Sequence, residues 1–276
     1  MLELPECATL AWQLNSAVRS RQVVEALADA SPHGFAFYTG SPTEYAKRLE
    51  GRKIREARGV GGILEIDLDG VLLLLSDGVN LRLCPLGTRL PEKHQLLLRL
   101  DDGSVLVCTV QMYAGIHLCE SGTFHSIYYC AAHEKPSPLS GEFSEAYFFT
   151  LLQASPGLSA KAFLATGQRI PGLGNGVLQD ILFRARVHPK ARISALSHEM
   201  LAELYRQTRD TLQEMTALGG RDTKKDLFGQ AGGYLTRMSR DTVGKPCPAC
   251  GTALRREAYL GGSIYFCPVC QIIPKT

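Results

Sequence analysis

The chain has 276 residues, 45% apolar and 21% charged, which gives room for one large or two ordinary domains, each with its own core. No run approaches the roughly 18 to 20 uninterrupted apolar residues of a membrane span, and the opening MLELPECATLAWQLN is acidic where a secretory signal would be basic, so a cytoplasmic protein is expected. The net charge of +3 hides an asymmetry: residues 1–140 carry 13 Lys and Arg against 16 Asp and Glu, residues 141–276 carry 17 against 11, and a polyanion would be gripped mainly by the second half.

Pro5 to about Ser20 has the signals of a short helix: a first-turn proline, Glu6 near the positive end of the dipole, then Leu10, Trp12 and Leu14. Trp12 is expected in the core. From Gly61 the pattern changes to apolar runs and period two, with Leu68-Asp69-Gly70, Ser76-Asp77-Gly78 and Asp101-Asp102-Gly103 as hairpin turns. Ile116 to Cys119 and Ser126 to Cys130 read as further strands, and the Tyr128-Tyr129 pair as core. The first half is therefore predicted as a β-sandwich or barrel fronted by one helix.

EKPSPLSG, residues 134–141, is a Pro/Ser/Gly-rich linker. Beyond it the apolar spacing becomes helical at Tyr147 to Leu152, Ala162 to Ala165, Val177 to Ala185 and Ser197 to Leu218, with Gly219-Gly220 as the stop. The expected division is a β-domain over 1–133, the linker, a helical domain over 142–244 and a small tail over 245–276. The fold class is thus α+β, with segregated β and helical halves.

Cys247-x2-Cys250 and Cys267-x2-Cys270, sixteen residues apart, form the most specific motif. Each pair can present two thiolates to one ion, and two pairs complete a tetrahedral site without an open position, which predicts one structural Zn2+. The apolar residues between them suffice only for a hairpin that the metal must hold, from which Arg255 and Arg256 project. Gly172-Leu173-Gly174-Asn175-Gly176 opens a helix at Val177. Such a turn suits a phosphate through its exposed N–H groups, and equally suits an ordinary tight turn between helices; Lys161, Lys190 and Arg192 add positive charge nearby.

These motifs, in this order, resemble the formamidopyrimidine-DNA glycosylase and endonuclease VIII family of base-excision repair enzymes over nearly the whole chain. Leu2-Glu3-Leu4-Pro5-Glu6 is similar to the family's opening Pro-Glu-Leu-Pro-Glu, Glu92-Lys93-His94 to a segment before its later strands, GLGN at 172–175 to the turn of its helix-two-turn-helix, and the four cysteines to its zinc finger. The resemblance implies a helix and β-sandwich followed by a helix-two-turn-helix domain and a β-hairpin zinc finger, with damaged DNA crossing the cleft. It also implies that Glu3 is the acid of the reaction, with Glu6 beside it, and that His94, Lys161, Gly174 and Asn175 contact DNA.

The same resemblance exposes departures. In the family the amine of an N-terminal proline attacks C1′ of the damaged nucleotide, its pKa of about 7.7 to 8.0 leaving much of it unprotonated. Here Leu2 holds that position, and a residue so large keeps Met1 in place, which puts the Met1 amine about 3.5 Å from the expected point. Val60 aligns with a catalytic lysine, and Gly262 with the phosphate-binding arginine of the finger. Met112, Ala114 and Asp77 replace residues that enter the base stack. The expectation is a monomeric binder of damaged or bent double-stranded DNA. The alternative is an active glycosylase and AP lyase that uses an N-terminal amine and Glu3 on an oxidised base or abasic site.

Overall fold

The computed structural model describes residues 2–274. Helix α1 (Leu4–Ala17) buries Cys7, Leu10, Ala11 and Leu14, the i, i+3, i+4, i+7 face of a helix lying on a sheet. Trp12 falls on the opposite face and is 69% exposed, so it is not a core residue. Strands β1 (Val23–Ala28) and β2 (Ala36–Tyr38), helix α2 (Tyr45–Leu49) and strand β3 (Ile54–Val60) occupy a stretch whose mixed polar sequence gives no period. Then follow β4 (Ile63–Leu68), β5 (Val71–Cys84), β6 (Leu96–Leu100) and β7 (Val105–Glu120).

These seven strands form one sheet, ordered β1-β6-β7-β5-β4-β3, with the short β2 parallel to β7. Its axis is the antiparallel pair β5·β7, in register from Val71↔Glu120 to Cys84↔Val105. Ser76-Asp77-Gly78 is not a turn. The chain continues straight through it with an irregularity between Asp77 and Val79: Asp77, at φ +59, pairs with Ala114 and Val79 pairs with Val110, so the surplus residues bulge from β7 and β5 does not reverse. Ile116 to Cys119 is likewise the far end of β7 rather than a separate strand.

Ser126 to Cys130 is helical. The Ser126 hydroxyl accepts the Tyr129 N–H and so caps α3 (Ile127–Glu134), a local bond that outweighs the β-propensity of the tyrosines. Tyr128 is consequently 64% exposed, and Tyr129 is only partly buried, edge-on to Phe124. Serine repeats this capping role at Ser144 for α4 (Glu145–Gln153), Ser159 for α5 (Ala160–Ala165) and Ser197 for α7 (His198–Ala217). Between them, α6 (Val177–Arg184) begins at Gly176, which has no side chain to cap it.

One apolar cluster joins α1 to the sheet; a second gathers Phe143, Phe148, Phe163, Leu178, Ile181 and Leu212 among the helices. Strands β8 (Arg255–Tyr259) and β9 (Gly262–Phe266) make the terminal hairpin. It docks on α6, where Gln179 Oε1 accepts the Tyr265 N–H, while the buried Gln271 amide donates to Val187 O. The segment after α7 then runs back over the sheet domain. Leu227 is fully buried in the sheet cluster, and Gln13 holds the segment with one bond from the Leu227 N–H and another to the Asp226 carboxylate. None of the described helices is long and apolar enough to cross a membrane.

Candidate functional site

The bare N-terminus of α6 receives its cap from the other end of the chain. Glu3 Oε1 accepts the Gly176 N–H at 2.9 Å and Oε2 the Val177 N–H at 2.7 Å, so a carboxylate satisfies two of the free donors at the positive end of the helix. Arg221 completes the arrangement. Its guanidinium forks onto Glu6 at 2.8 and 2.9 Å and lies 3.6 Å from Glu3, with all three side chains almost fully buried. Burial alone would push the guanidinium pKa down, but the two carboxylates outweigh it and hold the value raised.

Glycines permit this packing. A Cβ on Gly176 would collide with the Arg221 guanidinium, one on Gly174 would meet the Glu3 carboxyl at 2.8 Å, and one on Gly172 would overlap the backbone of Gly61 and Gly62. The glycine-rich turn therefore serves contact between the domains as well as the opening of a helix. Glu6 faces Arg221 rather than the cleft. Arg221 itself belongs to no motif; its one sequence signal is its place directly after the Gly219-Gly220 stop.

A cleft of about 800 Å³ lies between the sheet and the helices. Leu2, Glu3, Gly62, Ser76, Asp77, Gly115 and His117 form one side, and Thr166, Gln168 and Pro171 to Gly174 the other. Among the described residues lining it there is no lysine or arginine. Val60 is not among the residues lining the cleft, whereas Gly62, two residues on in the β3–β4 turn, is. Met1 lies outside the described residues. The Leu2 N–H donates to Asp77 O at 2.5 Å and the Leu2 side chain packs in the sheet cluster, so Asp77 holds the start of the chain. Of the residues aligned with the family's stack-entering side chains, Met112 is 65% exposed whereas Ala114 is buried.

Lys161, Asn175 and the finger converge at the far edge. Lys161 Nζ donates to Tyr259 O at 2.6 Å, and Asn175 Nδ2 donates to Ser263 O at 3.2 Å, so both hold the hairpin turn. Lys161 is buried, and burial pushes its pKa down. A Cβ on Gly262 would stand 3.5 Å from Lys161 Nζ and 3.7 Å from Asn175 Nδ2, so this glycine opens directly onto the pair. Arg255 and Arg256 are exposed on β8, the latter bonded to Ser263 Oγ. His94 lies apart, in the loop before β6, with its Nδ1 near Pro91 O.

The four cysteines meet at the base of the hairpin, their Sγ atoms all within 4.8 Å of one another. Cys247 and Cys270 are 3.9 Å apart, Cys250 and Cys267 3.4 Å. Four sulfurs at about 2.3 Å from a tetrahedral zinc would lie about 3.8 Å apart, so the donor set fits that ion. Backbone N–H groups of Ala249 and Cys270 point at the Cys247 and Cys267 sulfurs, as suits thiolates.

A two-domain α+β chain with a sheet domain, a helix-two-turn-helix and a four-cysteine hairpin defines the class of the DNA-repair glycosylases with this architecture. Residues 135–226 match the formamidopyrimidine-DNA glycosylase H2TH domain. Formamidopyrimidine-DNA glycosylase of Chloroflexus aggregans is 31% identical over 99% of both chains, and that of Geobacter sulfurreducens 29% identical over 98% of this chain and 100% of its own. The crystal structure of the MutM (Fpg) protein of Thermus thermophilus superposes with a TM-score of 0.82 at 27% identity, covering 98% of both chains. The Lactococcus lactis Fpg, solved with DNA containing an abasic site, shares the fold at 21% identity, with a TM-score of 0.85 over 98% of this chain and 99% of its own. The chain belongs to the formamidopyrimidine-DNA glycosylase family.

Proposed function

We propose that this chain is a monomeric, cytoplasmic binder of damaged or bent duplex DNA, and that it lacks the amine-based excision and strand cleavage of its family. The observation that carries this is the cleft without lysine or arginine among its described lining residues. A sugar-phosphate brought there meets Glu3, Asp77 and two histidines, and the nitrogen of Leu2, at the position of the family's proline, is a backbone amide that donates to Asp77 O rather than a free amine. Glu3 is occupied in holding α6 and Arg221. The duplex would be held by Asn175 and Gly174 at the turn, by Lys161, Arg255 and Arg256 around the finger, and by His94. One structural Zn2+ on Cys247, Cys250, Cys267 and Cys270 would keep the hairpin folded against α6.

Borohydride trapping on an abasic-site duplex tests this reading, because only a competent amine leaves a covalent adduct. The expected result is salt-dependent binding with no adduct and no cleavage. Leu2→Pro with Gly62→Lys should give weak trapping if those two positions carry the difference. Robust cleavage by the unmodified protein, abolished by Glu3→Gln, would establish instead that the Met1 amine reaches C1′.

A further inference from the structure

Beside the metal site the surface carries two adjoining hollows, and none of the described residues lining them borders the cleft. The larger, about 520 Å³, lies between the end of α7, residues 233–237 and the base of the hairpin, with Leu218, Leu235, Pro246 and Pro248 as an apolar lining. The smaller, about 230 Å³, is lined by Arg184, Arg186 and Arg237 next to Ala249 and Cys270. Arg237 belongs to both, so the basic hollow opens off the apolar one, which the exposed Lys245 also lines.

The walls are held rigid from behind. Leu235 is 75% exposed because its neighbours are pinned: the Tyr234 N–H donates to Gly220 O, and Asp222 accepts both the N–H and the hydroxyl of Thr236. Leu218, at the end of α7, is 47% exposed. The Arg237 N–H donates to the buried Asp180 carboxylate while its side chain stays in solvent. Arg186 follows the end of α6 at φ +56, the left-handed conformation that favours glycine, with its N–H on Phe183 O and that of Val187 on Leu182 O. An arginine kept there against the steric preference of its Cβ is presented at a fixed point. Arg184 is bound to Glu214, the one carboxylate among the described residues lining the two hollows; Arg186 and Arg237 form no ion pair among the described residues.

We propose that this face docks an acidic peptide segment of a partner protein, an apolar side chain of which fills the hollow over Leu218 and Leu235 while carboxylates beside it meet Arg237 and Arg186. Charge selects the occupant, since two unpaired guanidiniums and Lys245 surround an apolar floor with no free carboxylate. A guanidinium pairs with a carboxylate through two parallel bonds, and an exposed leucine on a pinned backbone is surface that a partner's apolar side chain covers. A phosphate backbone suits the face less well. The apolar hollow offers it nothing, and both hollows lie at the cysteine base of the hairpin, a five-residue strand or about 17 Å from the turn that Lys161 and Asn175 hold.

The test pans a random dodecapeptide library displayed on phage against the full-length, zinc-loaded protein in excess duplex DNA. Enriched peptides should carry an apolar residue beside a run of Asp and Glu. The most enriched one, labelled with fluorescein, should bind in anisotropy measurements and weaken as salt is added. Leu235→Ser, and Arg186→Glu combined with Arg237→Glu, should each weaken that peptide at least about tenfold while zinc content and duplex affinity stay unchanged. Leu235→Ser, at an exposed position, tests the apolar half without touching the finger. No enrichment, enrichment of peptides without acidic residues, or a selected peptide that Leu235→Ser binds as wild type does overturns the proposal. Because Cys270 borders the basic hollow, arginines that only balanced the thiolates would release zinc on charge reversal, and that result overturns it as well. Loss of duplex affinity in the arginine variant would assign the face to nucleic acid instead.

Discussion

Arg221 grips Glu6 with both arms of its guanidinium, at 2.8 and 2.9 Å, across 215 residues of sequence and almost wholly out of solvent. Glu6 belongs to the first helix and Arg221 to the segment that leaves the last long one, so a single ion pair ties the two ends of the fold together. Because Glu3 stands beside it, the same guanidinium also steadies the cap of α6.

Removing that guanidinium leaves two buried carboxylates without a counter-charge. Arg221→Leu should lower the free energy of unfolding by about 3 to 5 kcal/mol, measured by urea denaturation. Adding Glu6→Gln should restore part of the loss, since one stranded charge is then gone. A cost below about 1 kcal/mol for Arg221→Leu would mean that water reaches the site.

Which of these features could be read from the sequence follows from how local their causes are. Cys247 to Cys270, the helices capped by Ser144, Ser159 and Ser197 and the Gly172–Gly176 turn each announce themselves within a few residues, and the structure has them where the spacing puts them, whereas the helix capped by Ser126 reads locally as a strand. Ser76-Asp77-Gly78 suits a turn and a strand irregularity equally well, and only pairing with β7 decides between them. Hydrophobicity alone places Trp12 inward, whereas the helix phase set by Cys7, Leu10, Ala11 and Leu14 turns it outward. Arg221 has meaning only through partners more than 200 residues away, which no local pattern can supply.

Asp180 gives a pH signature. It is fully buried on α6 and accepts the Arg237 and Met238 N–H groups, yet burial prevails over those bonds and pushes its pKa up. A carboxyl raised on folding binds its proton more tightly in the native state, so its contribution to stability declines as pH rises from the ordinary carboxylate range through the raised value. The penalty of Asp180→Asn, about 1 to 3 kcal/mol for the buried N–H groups left short of an acceptor, should therefore be larger near pH 4 than at pH 7. Parallel denaturation curves at the two pH values would show it; a penalty that grows with pH would reverse the sign.

At the finger turn, the neutral and charged residues should separate in their salt dependence. Asn175→Ala should weaken duplex binding several-fold on every sequence with little change in the slope of log K against log salt, whereas Lys161→Ala should also flatten that slope by about one unit. Gly262→Arg, which opens onto both, should tighten binding and steepen the slope by a similar amount. Equal slopes across all three variants would place the phosphate contact elsewhere.

Replacing Cys247 or Cys267 with Ser should release the metal from the purified protein and unfold the hairpin, because five-residue strands cannot hold themselves. Circular dichroism should still report the sheet domain, and duplex affinity should fall to the background. Unchanged zinc content by mass spectrometry would sink this assignment.

Leu227 sets an order on the making of the protein. The sheet is complete in sequence by Glu120, yet one of the side chains in its core is supplied by residue 227, and β5 donates the Leu83 N–H to that residue's carbonyl at 2.8 Å. A ribosome working from the N-terminus therefore exposes a finished sheet with an open hole for the time it takes to add more than a hundred residues. A nascent sheet domain waits in that state for its plug, within reach of chaperones and proteases, and a product truncated before residue 227 never leaves it.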